Sequence, residues 1–112
     1  MSELINLAQY YHPHGFHREK GKYPGIGLYN KLKPLVETAV QNNSTVNLDL
    51  SEMKALYGSF VDGAFGIFID DLKDDFFKTF VFSGGKPELM IVINRVFAKH
   101  KELKFNEGIE ND

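Results

Sequence analysis

The sequence predicts an α/β domain in which a three- to four-stranded mixed or parallel sheet carries about three helices, packed mainly on one face. Three observations lead there. Val46, Leu48 and Leu50 alternate with Asn47, Asp49 and Ser51, the period of a strand with one face more deeply buried. Apolar residues before and after that run recur at spacings of three and four, the period of helices. The alternation of the two patterns along the chain implies parallel strands joined by crossover helices. At 112 residues and 43% hydrophobic content, the chain is long enough for one core and too short for two. We therefore read residues 1–112 as a single domain with a frayed acidic tail at 106–112.

Taken in order, Glu3 to Tyr11 carries Leu4, Ile5, Leu7, Ala8, Tyr10 and Tyr11. The pattern is mixed, but its shortness and tyrosine-rich end predict an N-terminal strand. HPHGFHREKGKYPGIG follows, with three of the four histidines, two prolines and four glycines. Such punctuation predicts a loop. From Leu28 to Val40, the residues Leu28, Leu32, Leu35, Val36, Ala39 and Val40 form an amphipathic helical stripe. Pro34 lies inside it, at a cost of about 3 kcal/mol in a helix interior. Because the stripe stays in phase on both sides, one bent helix is preferred to a helix beginning at Pro34. Gln41-Asn42-Asn43-Ser44 ends it.

After the Val46 strand, Ser59 precedes Phe60, Ala64, Ile67 and Phe68, a second helical stripe. Ser59 and Asp62 stand at capping-box spacing, which predicts Ser59 as the helix cap, a role worth about 1 kcal/mol. Asp70, Asp71, Asp74 and Asp75 read as the solvated end of that helix, since its dipole disfavours negative charge there. Lys78 to Phe82 predicts an interior strand, closed by Ser83-Gly84-Gly85. Pro87 opens a last helix, with Leu89, Met90, Ile93, Val96 and Phe97 inward and Lys99, Lys101 and Lys104 near its end. One helical layer leaves the other sheet face to polar side chains, a loop, or a second copy of the chain in a homodimer.

Thirteen basic against fifteen acidic residues give a formal charge of -2, so the overall balance advertises neither a nucleic-acid nor a membrane partner. The absence of cysteine excludes disulfides and thiol catalysis. No window approaches the about 18 apolar residues of a membrane span, and the N-terminus lacks a basic leader. A soluble cytoplasmic protein is expected.

Candidate sites follow from residue type and spacing. His12, His14 and His17 are a possible three-imidazole metal set, weighed against an exposed loop or interface arm. Ser83-Gly84-Gly85-Lys86 joins a strand to a helix and offers either an anion cradle or a plain turn; it lacks the Walker spacing. His100, near a helix end, needs no special role. Ser59 is either a cap or a phospho-acceptor, because free N–H groups at a helix start favour phosphate.

The segment VNLDLSEMKALYGSFVDGAFG resembles the core of STAS domains, the anti-sigma-factor-antagonist fold, and more closely the bacterial STAS-like domains of unknown function. The resemblance rests on Asp49 ending a hydrophobic strand, Ser59-Phe60, Asp62 and Phe65-Gly66. It extends more weakly over residues 24 to 103. The antagonists carry Asp-Ser-Ser-Gly where this chain has Tyr57-Gly58-Ser59-Phe60, and many relatives carry glutamate where it has Gly63. The resemblance implies a non-enzymatic, protein-binding β/α module without a cofactor. It implies a serine, here Ser59, phosphorylated by a partner that is both an anti-sigma factor and a histidine-kinase-type ATPase. The corresponding contact residues would be Asp49, Tyr57, Gly58, Phe60 and Asp62. A small metal- or nucleotide-binding enzyme or sensor, built on the His12, His14 and His17 loop, is the alternative function.

Overall fold

The structure, a computed structural model, describes residues 4–10 and 25–102. Among them lie strands β1 (Leu4–Asn6), β2 (Val46–Asp49) and β3 (Phe80–Ser83), and helices α1 (Ile26–Asn42), α2 (Gly58–Leu72), α3 (Phe76–Thr79) and α4 (Pro87–His100). The strands form a parallel sheet in the order β1-β2-β3. This is the α/β alternation expected, with three long helices and one single-turn helix.

The register explains which side chains share a face. Ile5 pairs with Leu48 and Leu48 with Phe82, while Val46 pairs with Phe80. These residues face the helices: the Phe80 ring lies 5.4 Å from Phe65 and 5.5 Å from Phe68 of α2, and Tyr29 of α1 stacks on Phe68 at 5.0 Å. On the opposite face the rows are Leu4, Asn47, Val81 and Asn6, Asp49, Ser83. Leu4 and Val81 are exposed and Asn47 and Asp49 half-buried, so polar side chains occupy the centre of that face.

Each boundary has a local cause. β1 is shorter than the strand predicted to Tyr11, because Asn6 Oδ1 accepts from the Ala8 N–H at 3.1 Å. That side-chain turn diverts the chain into a 3-10 turn, Leu7–Tyr10. Helix α1 runs through Pro34 without interruption. It ends at Asn43, in left-handed conformation at φ 54°. Ser44 N–H donates to Ala39 O and Asn43 N–H to Val40 O, the paired bonds of a Schellman end. Leu28, Leu32, Val36 and Ala39 are buried, while Val40 of the predicted stripe is exposed.

Helix α2 buries Phe60, Val61, Ala64, Phe65, Phe68 and Ile69. Its apolar arc is wider than the predicted one and rotated, leaving Ile67 half exposed. The helix stops at Lys73, φ 53°. A 3-10 turn and α3 then occupy residues 73–79, so Lys78 and Thr79 are helical rather than extended. The reason lies in Phe76, fully buried with its ring 5.9 Å from Phe97 and 5.0 Å from Phe80. The helical turn is what directs it into the core. Pro87 begins α4, as expected.

Candidate functional site

The start of α2 is built by its backbone. Tyr57 O accepts from the N–H groups of Phe60 and Val61, at 3.1 and 3.2 Å, which makes Tyr57 the N-terminal flanking residue and Gly58 the first helical one. The capping role predicted for Ser59 is therefore not realised. Ser59 sits one residue inside the helix start and is exposed. Gly58 packs near Val96, with an added Cβ placed 3.9 Å from Val96 Cγ2. Between the two helices opens a groove of about 440 Å³, lined by Gly58, Ser59, Asp62, Arg95, Val96 and Lys99.

Of the predicted contact residues, the groove gathers Gly58 and Asp62, together with the phospho-acceptor candidate Ser59. Tyr57 precedes them, half exposed. Phe60 is 5% exposed and belongs to the core. Asp49 stands elsewhere, at the carboxyl end of β2. Its Oδ1 accepts from Ser51 N–H at 2.9 Å. That backbone bond, with the Ser51 hydroxyl, holds the Asp49 carboxyl below its ordinary range.

The Ser83-Gly84-Gly85 turn packs against this corner. Both glycines have positive φ, 72° and 74°. A Cβ on Gly85 would fall 2.8 Å from Leu50 O, and one on Gly84 3.2 Å from Asp49 Oδ1. Conformation and close approach account for the glycines, and the carboxylate beside them opposes an anion.

A second cluster was not legible as a site. His100 of α4 reaches back to α2 with both ring nitrogens: Nδ1 is 2.8 Å from Asp70 Oδ1, and Nε2 is 2.5 Å from Asp62 Oδ1. Burial of the ring disfavours its charged form, but the hydrogen bonds and charges of Asp70 and Asp62 outweigh that and raise the His100 pKa. Asp62, Gly66 and Asp70 fall on one face of α2 at spacings of four, and the glycine leaves room for the ring. A Cβ on Gly66 would lie 2.6 Å from Asp62 Oδ1 and 3.2 Å from His100 Cε1. Asp70 is thus an ion-pair partner and not merely part of a solvated helix end. Asp74, by contrast, meets Lys101 at 3.5 Å, and Asp75 meets Lys78 at 3.5 Å, all exposed.

Asp62 belongs to both clusters, lining the groove and holding His100. Arg95 and Lys99, one turn apart on α4, supply the groove's positive charge. His12, His14 and His17 lie outside the described residues. Among those described, no group of three or more His, Asp or Glu is disposed to hold a metal ion, and no helix is long and apolar enough to cross a membrane. Comparison with known proteins returns no matching family model, curated protein or solved structure.

Proposed function

We propose that this domain is a regulatory module that binds a protein partner through the start of α2 and the groove it forms with α4, with Ser59 as the residue whose phosphorylation switches the contact. One observation carries the reading: Ser59 is exposed on the first turn of α2, in a groove that also presents Arg95 and Lys99. A phosphate there adds close to two negative charges beside free helix N–H groups and two cations, and also beside Asp62. It changes the sign of the groove without disturbing the core under Phe60. The STAS-like resemblance of Asp49, Ser59-Phe60 and Asp62 supports the same reading and names the class of partner, an anti-sigma factor or histidine-kinase-type ATPase. In this reading the domain needs no cofactor.

The test is mass spectrometry of the protein recovered from its own cells, with the Ser59→Ala variant beside it. Phosphate on Ser59 that disappears in the variant is the expected result. Phosphate elsewhere, or none, removes the switch. Binding is tested separately with the stoichiometric partner recovered in a pull-down: Arg95→Glu and Ser59→Glu should each weaken it at least tenfold. Unchanged affinity in both variants would remove the groove as the contact face.

A further inference from the structure

We infer that His100 is a proton-operated latch between α2 and α4, and that its protonation sets the charge Asp62 presents to the groove. A neutral imidazole has one N–H and one lone pair, whereas a carboxylate only accepts. Both His100 nitrogens stand at hydrogen-bonding distance from carboxylate oxygens, 2.8 Å to Asp70 and 2.5 Å to Asp62. With two ionised carboxylates, only an imidazolium donates to both. Were the proton on an aspartate instead, the cluster would hold the same number of protons. The geometry therefore specifies a proton count for the three groups together.

Removing one proton turns one of the two contacts into a lone pair facing a carboxylate. Asp62 is the partner that leaves, because it is 55% exposed and can be solvated, whereas Asp70 is 35% exposed. Asp62 is also the member that lines the groove. Proton loss consequently releases a carboxylate among Arg95 and Lys99, where it competes with an acidic or phosphorylated ligand for those cations. Proton uptake withdraws it and fastens the last turn of α4 to α2.

Among the described residues, the charged groups beside this arrangement include those on both helices. From α2 the ring meets Asp62 and Asp70. Lys101, next along the chain, is turned to Asp74 of the turn after α2 at 3.5 Å. Arg95 and Lys99 line the groove with Asp62. The consequence for the groove rests on the contact-face reading above; the latch itself does not.

The measurement is a pH titration of the histidine ring Cε1–H signals by NMR on the full chain, with His100→Gln assigning one signal of four. A His100 midpoint above that of a histidine in an unstructured peptide is expected, lowered by Asp62→Asn and by Asp70→Asn. Should Asp70→Asn fail to fold, Gly66→Ala serves, since its Cβ intrudes between Asp62 and the ring. Amide exchange at Phe97 to Lys101, corrected for intrinsic rates, should accelerate as pH rises through the midpoint in the wild type and show no such step in His100→Gln. A midpoint at or below the peptide value, insensitivity to all the variants, or exchange without the step overturns the latch and leaves the groove reading intact. A latch that titrates as expected, with partner binding untouched by both Arg95→Glu and Ser59→Glu, does the reverse.

Discussion

Gly66 is the residue on which two opposed effects can be weighed. Alanine gains about 0.5–1 kcal/mol over glycine in a helix interior, and the atom its Cβ would strike first, Asp62 Oδ1 at 2.6 Å, is the end of a side chain that can swing to water. Gly66→Ala should therefore unfold in urea within about 1 kcal/mol of wild type, while lowering the His100 midpoint. Gly25 makes the contrast. It has φ 86°, and a Cβ there would meet Phe60 O at 2.5 Å and Ala64 N at 2.6 Å, both backbone atoms of α2 that cannot step aside. Gly25→Ala combines left-handed strain with overpacking and should cost about 2 kcal/mol or more in the same experiment. His100 itself gives a sign with pH. Its pKa is raised on folding, so the stability it adds is fully present below its unfolded value of 6.5 and is lost as pH rises through the folded value. The stability difference between wild type and His100→Gln should shrink across that window and level off above it, where the neutral ring keeps its contact with Asp70.

At the scale of elements, the helix and strand periods were legible in the sequence because burial on one side repeats with the backbone. They placed α1, β2, α2, β3 and α4 within a few residues, and Pro87 marked the start of α4. What sequence spacing missed were effects of tertiary packing. The 3-10 turn after β1 follows from the Asn6 side chain, the helical turn at residues 76–79 from the need to sink Phe76, and the unrealised cap at Ser59 from Tyr57 taking the flanking position. The His100 site was half legible: Asp62, Gly66 and Asp70 stand four apart on one face, but nothing local shows that α4 lays a histidine across them. Pro34 tests the element argument. Helix α1 passes through it, exposed, and Pro34 O still accepts from Thr38 Oγ1 at 3.1 Å. Proline in a helix interior costs about 3 kcal/mol relative to alanine, offset by up to about 1 kcal/mol because it also restrains the unfolded chain. Pro34→Ala should accordingly stabilise the domain by about 2 kcal/mol in chemical denaturation; destabilisation would show that the ring packs in a way the helix needs.

For the whole molecule, the sheet depends on its first strand. Among the described residues only β2 is paired on both sides, and β1 is held by three backbone partners together with Ile5, 4% exposed, and the fully buried Leu7. Removing β1 would expose the row of unpaired groups along β2, a template for pairing with another chain, and leave a two-stranded sheet that relies on its packing against the helices. The face away from the helices adds to the hazard, because Val81 and, in the intact chain, Leu4 are exposed there on either side of Asn47. Deleting residues 1–7 should therefore abolish cooperative melting by circular dichroism and produce larger species in light scattering. Leu7→Ala isolates the anchoring part of the argument. It keeps the strand but removes a buried side chain, costing about 2–5 kcal/mol. If the truncated chain melts cooperatively as a monomer while Leu7→Ala is strongly destabilised, the N-terminus contributes packing to the core and not protection to the edge of β2.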